Sequence, residues 1–351
     1  MFGGKSPEHE VSVWSAKNIY TAINKDKFEV LLIGIDKTGK WSLIEPNHLL
    51  DSDFKTVQSG AYLCLHPGFL QPFSFADSDV FLPRPEAVFP IIHGPNGEDG
   101  TLQGLLQQLD LPFVGPNVLG SAVAMDKDIC KRLFLEAQLL TADYLVFHRH
   151  EADSIDYAAV LNRLGSPLFI KPANMGSSVG VSKATNEAEF HQAVSLAFQF
   201  DTKILIEEMI TGREIECAVL GNERPETTGV GEIIVAKGFY DYDTKYVTDD
   251  AQIVIPAQNI SETAVEKIRI VARQAFQILG CEGLSRVDVF LTQDESVYIN
   301  EINTLPGFTS ISMYPKLWEN AGIQYADLIE KLIALAISRH ERDALLQRAK
   351  G

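Results

Sequence analysis

Residues 285–312 read Ser-Arg-Val-Asp-Val-Phe-Leu-Thr-Gln-Asp-Glu-Ser-Val-Tyr-Ile-Asn-Glu-Ile-Asn-Thr-Leu-Pro-Gly-Phe-Thr-Ser-Ile-Ser, and they constrain the chain more than any other stretch. Two β-rich runs, Arg286–Leu291 and Val297–Asn303, flank a polar turn centred on Asp294 and Glu295. That pattern predicts a β-hairpin. The turn sets Arg286 opposite Asn303 and Asp288 opposite Glu301, and side-chain alternation sends all four to one face. Two carboxylates, an amide oxygen and a guanidinium then share a patch. Oxygen donors with so few carboxylates suit Mg2+ shared with substrate phosphates. A surface ion pair of Arg286 with Asp288 or Glu301 is the plain alternative. The loop that follows, Asn303-Thr-Leu-Pro-Gly-Phe-Thr-Ser, shifts the balance toward a site. It is broken by Gly and Pro, rich in hydroxyls, and leaves the strand beside the carboxylates, as ligand-carrying loops do.

Composition narrows the partners. The chain has 351 residues, room for two or three domains. Its formal charge is -17, from 47 acids against 30 bases, which argues against nucleic acid and anionic membrane as partners. Cys64, Cys130, Cys217 and Cys281 lie far apart with no C-x-x-C, and read as buried free thiols in a reducing compartment. No signal-like start and no charge-free apolar run of about 18 residues is present, so a cytoplasmic location is expected.

Along the chain, strand and helix signals alternate. A Gly-Gly turn, Ser6 as N-cap, Pro7 and Glu8 announce a helix with the stripe Val13, Ala16, Tyr20 and Ile23. Such a turn normally follows a strand, yet only Met1 and Phe2 precede it. Phe28–Ile35 reads as a buried parallel strand. Residues 37–85 show little periodicity. Ala87–Ile92, blemished by Pro90, is the next strand and runs into His93-Gly-Pro-Asn-Gly-Glu-Asp-Gly. Helices follow over Thr101–Leu109 and Asp128–Ala137. This alternation predicts an open parallel α/β sheet with ligands at strand C-termini, where His93 sits, although a lone histidine there is often structural.

Lys171-Pro-Ala-Asn-Met-Gly-Ser-Ser-Val-Gly lies between apolar runs and reads as strand, loop, strand. It lacks the Walker A spacing, but its backbone N–H groups can wrap phosphate oxygens, with Lys171 at the strand end; a plain turn is the alternative. Glu207 and Glu208 close the apolar strand Ile204–Ile206, and an apolar slot beside a strand edge suits adenine, with Glu214 placed for ribose. Residues 237–250, with four aromatics, read as a lid over a water-sensitive site. Ser261 caps a helix to Leu279, stopped by Gly280. Helices from about Leu317 and over Leu328–Ile337 close the chain, and the tail 341–351 is expected to fray. His148 and His150 lack a third ligand and read as surface residues.

Taken in order, Gly-Gly-Lys-Ser-Pro-Glu-His-Glu-Val-Ser, His-Gly-Pro-Asn-Gly-Glu-Asp-Gly, Met-Asp-Lys, the Lys171 loop, Phe-Tyr-Asp-Tyr-Asp-Thr-Lys-Tyr, Arg-Val-Asp-Val and Asn-Glu-Ile-Asn-Thr-Leu-Pro-Gly-Phe-Thr-Ser make the chain resemble the D-alanine–D-alanine ligases of the ATP-grasp superfamily along nearly its whole length. The resemblance implies an N-terminal α/β substrate-binding domain (1–116), a central ATP-grasp subdomain (117–206), a C-terminal ATP-grasp subdomain (207–340) and a tail (341–351). It implies ATP as substrate, two Mg2+ (or Mn2+) held by Asp288, Glu301 and Asn303, and D-alanine as the amino acid joined for peptidoglycan precursors. Lys127, Lys171 and Lys245 would contact phosphates; Glu207 would lie near adenine and Glu214 near ribose, and Met209, Ile210 and Phe239 would also bind ATP. Arg286 and the Gly307 N–H would stabilise an oxyanion. Glu8 and His93 would position the first D-alanine, Ser312 the second, and Ser177 and Tyr246 would link Glu8 to the lid. A homodimer is implied by the family alone.

Lys245-Tyr246 favours D-alanine over D-lactate as acceptor; D-serine is less well excluded. Another ATP-grasp carboxylate–amine ligase, an inactive truncated ligase and a non-catalytic ATP-binding module are the competing readings. A Rossmann dehydrogenase is disfavoured by the lack of G-x-G-x-x-G in the first strand-turn-helix unit. Family members carry a strand before the Gly-Gly turn, and here it is reduced to Met1-Phe2, through a late start assignment or a truncation. If truncation is real, the expectation is exposed neighbours around Ile33 and Ile91, lowered stability and a loosened Glu8.

Overall fold

The structure is a computed structural model that describes residues 1–58, 60–235 and 251–346. Among the described residues three sheets succeed one another. The first has the order β1 (Phe2–Gly3), β2 (Ile33–Ile35), β3 (Trp41–Leu43), β4 (Ala61–Leu65) and β5 (Phe73–Phe75). The second places β6 (Tyr144–His148) beside β9 (Lys203–Glu208), then β7 (Leu168–Pro172) and β8 (Ser182–Ala184). The third runs β12 (Ala251–Val254), β11 (Glu226–Val235), β10 (Arg213–Gly221), β13 (Gly283–Leu291) and β14 (Val297–Asn303).

The expected missing strand is a correction. Phe2–Gly3 pairs in parallel with β2, and Phe2 also bridges in parallel to Ile91. Ile33 and Ile91 are therefore buried rather than exposed, and Phe2 is buried between them. Gly3 is obligatory there. Its φ is +91°, and a Cβ would sit 2.2 Å from the Ile35 carbonyl oxygen. Val88 continues the parallel array through a bridge to Phe113, while β3–β5 add antiparallel strands in the stretch that showed no periodicity. Ala87–Ile92 forms single bridges rather than a full strand, consistent with Pro90 lacking a ladder donor.

Several boundaries differ. The first helix is His9–Ala22 and Glu8, not Ser6, stands at its N-cap; the Ser6 hydroxyl instead accepts from the Glu8 N–H at 3.0 Å. Its Val13, Ala16 and Ile19 are buried and meet Leu328, Ile329 and Leu332 of the last helix in one core. That last helix, Tyr325–Ala344, runs into the segment expected to fray, because Arg342 near its end pairs with Glu282 and Glu223. The helix before it begins at Met313, four residues earlier than Leu317. Ser261 caps Glu262–Ile278 by accepting from the Ala264 N–H at 3.0 Å, as its sequence implies. Cys130, Cys217 and Cys281 are buried free thiols, but Cys64 is exposed on β4.

The hairpin has the expected register, Arg286 opposite Asn303 and Asp288 opposite Glu301. Between Asp288 and Val289 the pairing slips, so Asn300 is an extra residue on β14. Neighbouring Ile299 donates its N–H to Leu140 O at 2.8 Å and bridges Thr141, contacts outside the hairpin.

Candidate active site

Charge organises the site. Arg286 donates Nε and Nη2 to the two oxygens of Asp288 at 2.7 and 2.6 Å, and its Nε lies 2.9 Å from Glu216 on the neighbouring β10. Burial opposes the Arg286 charge, but Asp288 and Glu216 outweigh it and hold its pKa well above normal. Asn303 donates its amide to Asp288 at 2.9 Å, and Lys127 stands 3.5 Å from Glu301. The four hairpin residues thus converge with a lysine from a helix start.

A second cluster lies on the four-stranded sheet. Glu207 is buried between Lys171, at 2.6 Å, and Lys131, at 3.1 Å. Burial opposes its charge, but Lys131 and Lys171 outweigh burial and hold its carboxyl below the ordinary range. Lys171 and Glu207 come from paired antiparallel strands, where Lys171 faces Leu205 and Phe169 faces Glu207. Lys127 also donates to Met175 O at 2.7 Å, tying its helix to the Gly/Ser loop. Met209 and Ile210 follow directly on β9, and Met209 is exposed. Glu214 lies on β10, two residues from Glu216 and so on the same face.

A third convergence centres on Glu8. The Ser177 hydroxyl donates to Glu8 Oε1 across 169 residues of chain. Ser177 and Ser178 both have left-handed φ, 49° and 58°, a turn that presents the hydroxyl inward. A Cβ on Gly94 would meet Glu8 Oε2 at 2.8 Å, so the His93-Gly94 segment closes over the same carboxylate. Glu8 is buried, not loosened. His93 is also buried; its Nδ1 lies 2.9 Å from Leu305 O and its Nε2 3.3 Å from the Ser15 hydroxyl. A carbonyl only accepts, so Nδ1 carries the hydrogen and Nε2 accepts from Ser15. Burial lowers the His93 pKa, keeping it neutral. The Ser312 hydroxyl accepts from the Thr309 N–H at 2.9 Å and packs against Gly307, where a Cβ would meet it at 2.7 Å.

Phe239, Lys245 and Tyr246, with the whole expected lid, lie outside the described residues. Sequence reasoning missed Lys131, Glu216, Glu98 and Ser15. Lys131 had a usable signal, since it lies one helical turn after Lys127. Glu216 did too, two residues from Glu214 on an alternating strand.

The donor set fits a hard divalent cation. Asp288, Glu301 and Asn303 offer oxygens from one strand pair, and two carboxylates leave coordination for phosphate oxygens. Among the described residues no group of three His, Cys, Asp or Glu side chains forms an all-protein cage. No helix of the described residues is long and apolar enough to cross a membrane.

Models of two families match: the D-ala D-ala ligase N-terminus over residues 1–116 and the D-ala D-ala ligase C-terminus over residues 133–334. A D-alanine--D-alanine ligase of Shouchella clausii is 55% identical over 355 residues, covering 99% of this chain and 96% of that protein. D-alanine--D-alanine ligase A of Escherichia coli K12 is 51% identical, covering 99% and 97%. Among solved structures, the D-alanine-D-alanine ligase of Coxiella burnetii matches with a TM-score of 0.83 at 37% identity, covering 98% of this chain and 95% of that one. The VanG D-Ala:D-Ser ligase of Enterococcus faecalis matches with a TM-score of 0.85 at 36% identity, covering 95% and 97%.

Proposed function

This chain belongs to the D-alanine–D-alanine ligase family, and on that premise we propose that it joins two D-alanines to D-alanyl-D-alanine at the expense of ATP, for peptidoglycan precursors. The observation that carries this reading is the bond from Ser177 to Glu8. It fastens a buried carboxylate of the N-terminal unit to the Gly/Ser loop, so an ammonium held by Glu8 lies beside the loop that would hold phosphate.

A carboxylate resists nucleophiles until it is activated. In this reading the γ-phosphoryl group passes from ATP to a carboxylate oxygen of the first D-alanine, its bond to ADP breaks, and ADP is the leaving group. The amine of the second attacks that carbonyl, the C–N bond forms, and inorganic phosphate leaves with the carboxylate oxygen. Lys127, Lys171 and Lys245 screen the phosphates. Glu207, Met209, Ile210 and Phe239 line the adenine, and Glu214 meets the ribose. Glu8 and His93 orient the first substrate, and Ser312 the carboxylate of the second. Arg286, oriented by Asp288 through Nε and Nη2, and the Gly307 N–H stabilise the oxyanion of the tetrahedral intermediate. Asp288, Glu301 and Asn303 would hold two Mg2+ ions, which would supply charge neutralisation for the phosphoryl transfer. Ser177 and Tyr246 tie Glu8 to the lid, whose closure keeps water from the acyl phosphate. The division into 1–116, 117–206 and 207–340 with a tail, the cytoplasmic setting and a homodimeric state belong to the same proposal.

D-serine as acceptor is the second reading, favoured by the close fold match to a D-Ala:D-Ser ligase. The deciding experiment follows phosphate release from ATP with D-alanine alone and with D-alanine plus D-serine, and identifies the dipeptide. D-alanine-dependent release with D-alanyl-D-alanine is expected. ATP turnover or binding without D-alanine stimulation would sink the ligase reading.

A further inference from the structure

We infer that Glu98, together with Ser15, is a positioning residue that sets the Gly307 N–H. This inference rests on the ligase reading. Glu98 comes from the His-Gly-Pro-Asn-Gly-Glu-Asp-Gly segment and reaches across to the loop after β14. Its Oε1 accepts from the Leu305 N–H at 3.0 Å, and its Oε2 accepts from the Gly94 N–H at 2.6 Å. His93 takes the other backbone group of the same residue, donating to Leu305 O at 2.9 Å. Ser15 accepts from the Phe308 N–H at 3.2 Å. The loop is therefore pinned at Leu305 and again at Phe308, and Pro306-Gly307 is suspended between the pins.

Proline fixes the backbone between them. Gly307 is fixed less firmly by its own conformation, so the direction of its N–H is inherited from its neighbours. These pins come from the N-terminal unit, Ser15 from the first helix and His93 and Glu98 from the loop before the helix Thr101–Gln108, while Tyr325 of the last helix donates to Phe308 O at 2.6 Å. An oxyanion donor is effective only when aimed beforehand, and a displacement near 1 Å is costly in rate. A carboxyl group suits the task because its two oxygens meet two N–H groups at once. Removal from water, then the nearby Glu8, raise the Glu98 pKa to about 8, so near neutral pH the group is largely protonated while its two oxygens still meet both N–H groups.

Glu98→Gln keeps the shape and replaces one acceptor with an NH2 group that faces an N–H. The expected result is a kcat lowered on the order of 10- to 100-fold with the KM for ATP unchanged, since the Lys131–Glu207–Lys171 cluster is untouched. Hydrogen exchange over residues 303–309 should quicken at Leu305 in Glu98→Gln and at Phe308 in Ser15→Ala, with both variants melting cooperatively. Unchanged exchange at Leu305 overturns the inference whatever the activity. Faster exchange with unchanged kcat overturns it too, because the pin then positions nothing that matters to the reaction. If the parent chain itself makes no dipeptide, the ligase reading fails, and the exchange arm still decides whether the pins exist.

Discussion

Glu207 keeps its charge inside the protein because two lysines flank it, and that arrangement decides what a substitution there costs. Lys131 is buried, donates to the Thr141 hydroxyl at 2.6 Å and lies over the Tyr144 ring at 5.2 Å. Lys131→Met leaves Glu207 with Lys171 alone. Breaking a buried pair by removing one partner costs about 3–5 kcal/mol. We expect a loss of that order in denaturant unfolding, with weaker ATP binding; an unchanged midpoint would show that Lys171 suffices. His93 gives a pH dependence with a definite sign. Its folded pKa lies below the ordinary 6.5, so between the two values the unfolded chain binds the extra proton. Its contribution to stability is whole above 6.5 and is lost as pH falls through the folded pKa. We expect His93→Asn to flatten the loss of stability between about pH 7.5 and 5.5, read as the difference in unfolding midpoints between parent and variant; equal losses in the two proteins would acquit His93. At this scale the sequence was readable where spacing alone decides: Asp288, Glu301, Arg286 and Asn303 follow from a period of two and one turn. Glu98 and Ser15 were hidden because their partner, the loop at 305–308, lies about 200 residues or more away in sequence, and no local pattern encodes such a meeting.

The strand β1 is the element where expectation and structure differ most usefully. Two residues, Phe2 and Gly3, fill the slot between Ile33–Ile35 and Ile91, which is why those neighbours are buried. Upstream of Met1 the same slot continues as a groove of about 440 Å³, lined by Val30, Leu32, Val88 and Phe89 among others. The Met1 amine donates to Phe89 O at 2.9 Å, the lateral bond of a parallel ladder. Parallel register would set a preceding residue against Leu32 and Phe89. We expect three or four apolar residues joined before Met1 to raise the melting temperature by a few degrees. Each buried side chain contributes about 1.5–3 kcal/mol, and ordering the backbone costs about 1–2 kcal/mol per residue. A Gly-Ser extension of the same length should give no gain, and equal gains from both would mean the groove has no preference for a strand. The sequence pattern showed that a strand belonged before the Gly-Gly turn, but not that two residues are enough to cover Ile33 and Ile91. The bulge at Asn300 was illegible for a related reason. It accompanies the contacts of Ile299 with Leu140 and Thr141, outside the hairpin.

Across the whole molecule, the N-terminal unit and the last helix are joined by one buried cation. Arg339 donates through Nη2 to Phe113 O at 2.7 Å and through Nη1 to Gly115 O, with its guanidinium 4.5 Å above the Phe113 ring. Burial lowers its pKa, but a guanidinium stays charged at any working pH. Gly115 lies at the end of the segment matched by the N-terminal family model, and Arg339 lies beyond the end of the C-terminal one. The contact therefore closes the chain on itself, and it was invisible in sequence because Arg339 reads as one more polar residue of a helix end. Arg339→Met keeps much of the apolar stem and strands two buried carbonyls, each costing about 1–3 kcal/mol when unsatisfied. We expect unfolding at lower denaturant with a KM for ATP like that of the parent, since Lys171 and Glu207 lie on the four-stranded sheet and Lys131 on the helix that starts at Lys127, none of them in contact with Arg339. Arg339→Lys should recover only part of the loss, because one ammonium lacks the planar fork that reaches both carbonyls. If Arg339→Met unfolds where the parent does, the join is carried instead by Leu328, Ile329 and Leu332 packed against Val13 and Ala16. Leu332→Ala would then be the destabilising change, by about 2–5 kcal/mol.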